Sequence, residues 1–162
     1  NLDYKKINYA MKHKYNRGSI PSPGFTAGPC LFKDTMQLSA FSNQHFSLGL
    51  EAMNTNEGLV NYLVNKIKKE HDLSKKTLGI LGMSFKAESD DIRNSLSYKL
   101  KKILSIHSKK VLISDPYVKN DEEIKSLEYV KSKSDILIIA TPHNIYKKIK
   151  FKKTIYNIWV DF

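Results

Sequence analysis

The 162 residues carry 27 basic and 16 acidic side chains, a net charge of +11, and 41% hydrophobic residues. This composition fits a globular chain long enough to bury a core, and it contains neither an apolar run able to span a membrane nor a recognisable signal peptide. One cysteine excludes an internal disulfide and points to a reducing cytoplasm, while lysines spread through nearly every segment argue against the concentrated basic patch of a nucleic-acid binder.

Residues 1–19 place Ile7, Ala10, Met11 and Tyr15 at helical spacing, the pattern of a helix tail whose partners lie upstream, closed by Arg17-Gly18-Ser19. A start at Asn1 without Met is expected of a piece of a longer protein. Pro21 and Pro23 then exclude a helical continuation and lead into Gly24-Phe25-Thr26-Ala27-Gly28-Pro29-Cys30-Leu31-Phe32-Lys33-Asp34-Thr35.

This loop presents the lone thiol ahead of a helix start. A helix N-terminus and the ammonium of Lys33 both favour a thiolate, and Gly24 and Gly28 let backbone N–H groups approach a ligand closely. Asp34 is placed to position a water or take a proton. Each residue also has a structural reading: Cys30 as a small buried hydrophobe, Asp34 with Gln37 as a capping box, and the glycines as turn formers.

From Thr35 to about Met53 the pattern is helical but interrupted, with Gly49 inside it. Asn54 and Glu57 make a second candidate capping box before the stripe Leu59, Val60, Leu63, Val64 and Ile67, which ends in lysines that suit the helix dipole. His71–Lys76 reads as a polar linker between a partial helical segment, 1–70, and a second unit, 77–162.

In the second unit the period changes. Apolar runs at Thr77–Met83, Lys110–Ser114, Asp135–Thr141 and Ile155–Val160 alternate with a helical stretch at Asp91–His107 and a weaker crossover at Asp121–Val130. Strands alternating with helices predict an α/β fold, a helical segment followed by a Rossmann-like, doubly wound parallel domain. The loop after the first strand carries Lys86 and Arg93 among acids, a place for a phosphate at a helix N-terminus. The competing reading has Asp90 or Asp91 capping that helix and both cations solvated. Gly79-Ile80-Leu81-Gly82-Met83-Ser84 does not match Gly-x-Gly-x-x-Gly, so a dinucleotide site of that kind is not expected here. His13, His45, His71, His107 and His143 show no metal-ligand spacing with Cys30, so no metal is expected. His143, after Pro142 at a strand end, reads as a turn residue within reach of a ligand.

Two stretches carry a resemblance. Gly-Phe-x-x-Gly-Pro-Cys-Leu-x-Lys-Asp at 24–34 resembles the active-site loop of the UDP-glucose/GDP-mannose dehydrogenase family, the nucleotide-sugar 6-dehydrogenases. Gly-Met-Ser-Phe-Lys-x-x-x-Asp-Asp-x-Arg-x-Ser at 82–95, with Asp115-Pro116-Tyr117, resembles the opening of that family's nucleotide-sugar-binding C-terminal domain. The resemblance implies a helical central, dimer-forming segment and a sugar-nucleotide-binding domain. It implies Cys30 as nucleophile through a thiohemiacetal and thioester at C6, and Asp34 as helper in hydrolysis. By the same carry-over Phe25, Gly28, Lys33, Phe85 and Lys86 contact the substrate, and Arg93 reaches toward NAD. The implied partner is a UDP- or GDP-hexose, oxidised to the uronic acid with two NAD consumed.

The family's upstream Rossmann domain and the helix supplying its catalytic Lys and Asn have no counterpart in residues 1–19, and its last strand continues beyond Phe162. The chain alone is therefore expected not to turn over. The alternatives are a catalytically silent nucleotide-sugar-binding and dimerisation module and, with less support, a basic nucleic-acid-binding domain.

Overall fold

The computed structural model describes residues 2–15, 17, 21–43, 45–147 and 152–159. Four short apolar segments form a parallel sheet in the order β2-β1-β3-β4, with β1 Thr77–Leu81, β2 Lys110–Ser114, β3 Ile136–Ile139 and β4 Thr154–Asn157. Leu78 pairs with Val111 on one side and Ile136 on the other, and Ile138 with Tyr156. Strand residues alternate between two cores, as the period of two requires. Leu78, Ile80, Ile113, Ile136 and Ile138 enter one core, while Leu81, Leu112, Leu137 and Ile139 enter the other.

The first face is covered by α3 (Ser47–Glu70) and α4 (Leu96–His107), through Val60, Val64, Ile67, Leu96, Leu100 and Leu104. The second is covered by α5 (Leu127–Lys133) and the single turn α6 (Asn144–Lys147), through Val130 and Tyr146. The expected doubly wound α/β arrangement is therefore present. The sheet order reverses between β1 and β3, so the crevice beyond their carboxyl ends is where such a sheet binds its ligands.

Three helices precede the sheet: α1 (Tyr4–Lys12), α2 (Leu31–Phe41) and α3. Asp3 caps α1 by accepting from the Lys5 and Lys6 amides. The Ile7–Met11 stripe expected to find partners is exposed in this chain, and with Tyr9, Leu38, Phe41 and Leu48 it leaves an apolar surface on α1, α2 and the start of α3. The linker region is not polar throughout: it holds a 3₁₀ turn, Leu73–Lys75, whose Leu73 is buried in the same core as Ile67 and Leu78.

Element edges differ from the sequence reading for local reasons. The interrupted pattern at 35–53 is two helices meeting near Ser42–Phe46, where Ser42 Oγ accepts from the Phe46 amide. Asn54 and Glu57 lie inside α3 and cap nothing. The helix expected from Asp91 begins at Leu96, capped by Ser95, whose Oγ accepts from Ser97 N–H. The weak crossover is α5, which starts six residues later and ends three later than expected, and Val160 lies outside the described residues.

The residues before α2 are drawn onto the sheet domain. Phe25 is buried in the first core, and Gly24 lies so close to the Trp159 indole that a Cβ there would sit 2.2 Å from it. Trp159 in turn donates its Nε1–H to the Ala140 carbonyl at 2.8 Å. At the far end of α3, Tyr156 of β4 donates to Glu70, and burial with that carboxylate raises its phenol to about 12.

Gly24→Ala is expected to lower unfolding free energy by about 1–3 kcal/mol through overpacking and to shift the emission of Trp159, the only tryptophan, to the red. Chemical denaturation followed by fluorescence checks this. Unchanged emission and midpoint would show that this packing does not hold the loop.

Candidate functional site

The thiol loop and the loop after β1, separated by more than fifty residues, meet at the carboxyl edge of the sheet. Gly28 has φ +121°, a left-handed backbone that other residues adopt only with strain, and an added Cβ would lie 3.0 Å from the Phe85 ring. Asn94 Nδ2 donates to the Gly28 carbonyl at 3.4 Å. On the other side Asn56 of α3 clasps Thr26, accepting from its amide at 3.2 Å and donating to its carbonyl at 2.6 Å.

Cys30 is exposed and is the N-cap residue of α2, with no capping bond from its side chain. Asp34 N–H donates to the Cys30 carbonyl at 2.8 Å, so the two side chains are one turn apart on the same helix face. Asp34 is ion-paired with Lys33 at 3.2 Å, both well exposed. The expected capping box of Asp34 and Gln37 is not formed, because the helix starts ahead of Asp34, at Leu31.

Phe85 and Lys86 stand together, with the Lys86 ammonium 5.4 Å from the Phe85 ring centroid. Lys86 is exposed and the ring partly so. Arg93 is held at Nε and Nη2 by both oxygens of Asp91, the shortest bond being 2.6 Å. Hydrogen bonds from Arg93, side chain first and then its amide, hold the Asp91 carboxyl down at about 2. The same pairing raises the guanidinium's pKa, with a smaller attraction from the Cys30 side chain. Neither Asp90 nor Asp91 caps α4, and Lys86 and Arg93 flank a loop rather than a helix N-terminus. Phe25 departs from its expected role as a ligand contact: it is buried in the core and holds the loop from behind.

What the sequence did not single out is the network beneath this loop. Asp115, at the end of β2, is buried and accepts from five donors. Oδ2 takes Met83 N–H at 2.6 Å, Ser84 N–H at 3.1 Å and His143 Nε2 at 3.1 Å, and Oδ1 takes Tyr117 N–H at 2.8 Å and Val118 N–H at 3.1 Å. Burial works against its charge, but the bonds from His143 and these amides outweigh it and hold the carboxyl at about 2.

His143 is fully buried, a correction to its reading as a turn residue within reach of a ligand. Its Nδ1 accepts from Glu88 N–H at 3.0 Å, so Nε2 carries the proton that goes to Asp115. Glu88, with φ +55°, accepts from Tyr117 Oη and from Asn144 N–H, and these bonds lower its pKa. The signals for this hub were Asp115-Pro116-Tyr117 and the Pro142-His143 pair, both at strand ends. Among the described residues no group of three or more His, Cys, Asp or Glu is placed to hold a metal ion.

A cavity of about 310 Å³ lies behind the thiol loop, between α2, α3 and the start of α4. Thr26, Asn56, Asn94 and the Glu57–Lys99 ion pair, at 2.6 Å, stand on its wall; Cys30, Phe85 and Lys86 do not.

Residues 79–159 match the family model described as UDP-glucose/GDP-mannose dehydrogenase family, UDP binding domain. The chain is 30% identical over 155 residues to a UDP-N-acetyl-D-mannosamine dehydrogenase of Pyrococcus horikoshii, covering 92% of this chain and 36% of that protein. It is 32% identical over 151 residues to a UDP-glucose 6-dehydrogenase of Rickettsia conorii, covering 84% and 34%. Among solved structures, a UDP-D-ManNAc dehydrogenase from Pyrococcus horikoshii superposes with a TM-score of 0.81 at 27% identity, over 96% of this chain and 40% of that one. The chain spans about a third of the length of the curated relatives it matches.

The Asp115 hub predicts an acid-linked loss of stability. Its folded-state pKa lies below the unfolded value, so its contribution is complete above the ordinary carboxylate range and is lost as pH falls toward about 2. The expected loss is about 2 kcal/mol, because each tenfold difference in proton affinity between the folded and unfolded chain is worth roughly 1.4 kcal/mol. Urea unfolding at pH 5 and pH 2.5 should show that Asp115→Asn is less stable at pH 5 and has a smaller pH slope than the unmodified chain. Equal slopes would mean that the buried carboxylate is not charged in the fold.

Proposed function

The chain belongs to the UDP-glucose/GDP-mannose dehydrogenase family, and on that premise we propose that it is the thiol-bearing and sugar-nucleotide-binding part of an NAD-dependent nucleotide-sugar 6-dehydrogenase. The observation that carries this reading is the meeting of the two motif loops. Gly28, two residues before Cys30, packs against the ring of Phe85, the neighbour of Lys86, and its carbonyl accepts from Asn94, the neighbour of Arg93, which supports one site built from both loops. The substrate is a UDP-hexose, in keeping with the UDP-binding domain that the family model describes. Lys86 meets the diphosphate, Phe85 packs against the ligand, and Gly28 allows the backbone to come close to it.

The reaction is the oxidation of C6 from alcohol to carboxylate with the loss of two hydrides, and NAD, when bound, accepts them. Cys30 adds its sulfur to the C6 aldehyde and its proton goes to the aldehyde oxygen, giving a thiohemiacetal that retains the intermediate. Loss of the second hydride from C6, with the hydroxyl proton, leaves a thioester. Asp34, one turn along the same face, orients a water and takes one of its protons as the water oxygen adds to C6, and the tetrahedral carbon then expels Cys30 as the thiolate. Lys33 tempers the charge of Asp34 and contributes positive potential near the substrate.

The residues here fit only a share of the cofactor. Gly82 has φ +94°, and a Cβ there would meet the Thr141 Cβ at 2.4 Å, so this glycine serves the close approach of the β1 and β3 ends rather than a pyrophosphate. Arg93 is the one group of this chain assigned to NAD. The exposed apolar surface of α1 and α2 supports a homodimer or a covering domain of the longer protein. No helix among the described residues is long and apolar enough to cross a membrane.

The test uses the full-length protein carrying Cys30→Ser. UDP-sugar binding by calorimetry should stay within about twofold, while uronic acid formation should fall by at least about a thousandfold, the usual scale for loss of a covalent nucleophile. Acid formed at the normal rate would overturn the reading. Lys86→Ala should instead weaken binding, by about tenfold for a lost charge-assisted contact.

A further inference from the structure

Asparagine is a poor helix-interior residue because its amide competes for backbone groups, and Asn56 lies mid-way along the 24-residue α3. Its side chain does not bond to its own helix. Both of its ends go to one residue of the thiol loop, the amide and carbonyl of Thr26, thirty positions earlier. No strand ladder supports that loop, so without this clasp Thr26 would turn to water. Its neighbours are fixed from elsewhere: Phe25 by the core, Gly28 by the Phe85 ring and Asn94. Asn56 therefore holds the stretch between these anchors, the stretch that leads into Cys30 at the start of α2.

We propose that Asn56 is a positioning residue for the thiol: by holding Thr26 it sets the path on which the loop runs through Gly28 into α2, and so where Cys30 stands relative to the loop that carries Arg93 and Asn94. It touches no substrate and acts through the loop alone. Glu57, the next residue on α3, binds Lys99 of α4 at 2.6 Å, so the clasp is tied to the helix that starts just after Arg93 and Asn94. The two sides of the cleft are thus referenced to one point on α3. The consequence for catalysis rests on Cys30 being the working nucleophile, but the placement itself does not.

The single cysteine makes placement measurable without turnover. The chain and its Asn56→Ala and Arg93→Ala variants are alkylated with iodoacetate and with iodoacetamide, and the ratio of the two rates is compared with that of glutathione. A guanidinium within electrostatic reach of the thiol favours the anionic reagent, so the unmodified chain should show a ratio several-fold above glutathione and Arg93→Ala should lose that excess. Asn56→Ala should lose most of it with Arg93 still present, a change that a purely structural role would not cause. Hydrogen exchange of the Thr26–Gly28 segment should speed up about fivefold to tenfold, the scale of one or two net hydrogen bonds, while α3 and α4 keep their protection. Asn56→Asp, which keeps the acceptor for the Thr26 amide and loses the donor, should fall between.

An unchanged ratio and exchange rate in Asn56→Ala would overturn the proposal. So would a variant that unfolds or loses protection throughout, since Asn56 would then be a residue of the fold. A ratio in the unmodified chain equal to that of glutathione would also overturn it. Conversely, full-length Cys30→Ser that still forms acid would sink the role of the thiol and leave the role of Asn56 in placing it intact.

Discussion

The carboxylate of Asp115 is the constraint from which the working edge of the sheet follows. A buried charge is tolerated only when its lone pairs are filled, and five donors fill those of Asp115. Those donors come from the ends of β1, β2 and β3, so satisfying one side chain fixes three loops relative to each other. His143 extends the reach: by accepting the Glu88 amide it pins the middle of the loop that displays Phe85 and Lys86. Glu88, held in a left-handed backbone, then ties back to Tyr117 and Asn144. The loop is irregular, yet nearly every polar group in its base has a named partner, which is what a rigid display surface needs.

The thiol loop has no such charge at its centre, and it is held differently. Packing fixes one end, where Gly24 and Phe25 sit against Trp159 and the core; two asparagine amides fix the rest. One amide comes from α3 and the other from the loop before α4. Each neutral bond is worth only about 0.5–1.5 kcal/mol, so the loop is weakly held compared with the hub beneath Phe85. A nucleophile must nonetheless stand within a fraction of an ångström of its target, because misplacement is penalised far more steeply in rate than in stability.

Much of this fold was legible in the sequence, because apolar runs buried on both faces have few competing readings. Leu78–Leu81 and Ile136–Ile139 could only be central parallel strands, and Lys110–Ser114 followed from the alternation. Helix edges were less legible, since Asp90, Asp91, Asn54 and Asp34 all offer capping chemistry and tertiary bonds decided which was used: Asp91 went to Arg93, and Ser95 took the cap. Cys30, Phe85, Lys86 and Arg93 were visible as motif residues. The supports were not, because Asn56, Asn94 and His143 act over thirty to sixty-six positions and nothing local marks them. Phe25 shows the opposite case: an aromatic within a motif suggested a ligand role, and the structure places it in the core.

The division between display and support also accounts for where the cavity lies. It sits behind the thiol loop, and its wall includes Asn56, Asn94 and the Glu57–Lys99 pair but not Cys30. A loop backed by solid packing would be immovable. One backed by space and spanned by two amides keeps a defined position while leaving room for its backbone to shift as sulfur goes from thiol to tetrahedral adduct to planar thioester. The carbon bonded to that sulfur changes geometry twice in the proposed reaction, whereas the diphosphate proposed for Lys86 takes no part in the bond changes. It is therefore consistent that the phosphate side of the cleft rests on a buried carboxylate with five bonds and the thiol side on hydrogen bonds that can flex.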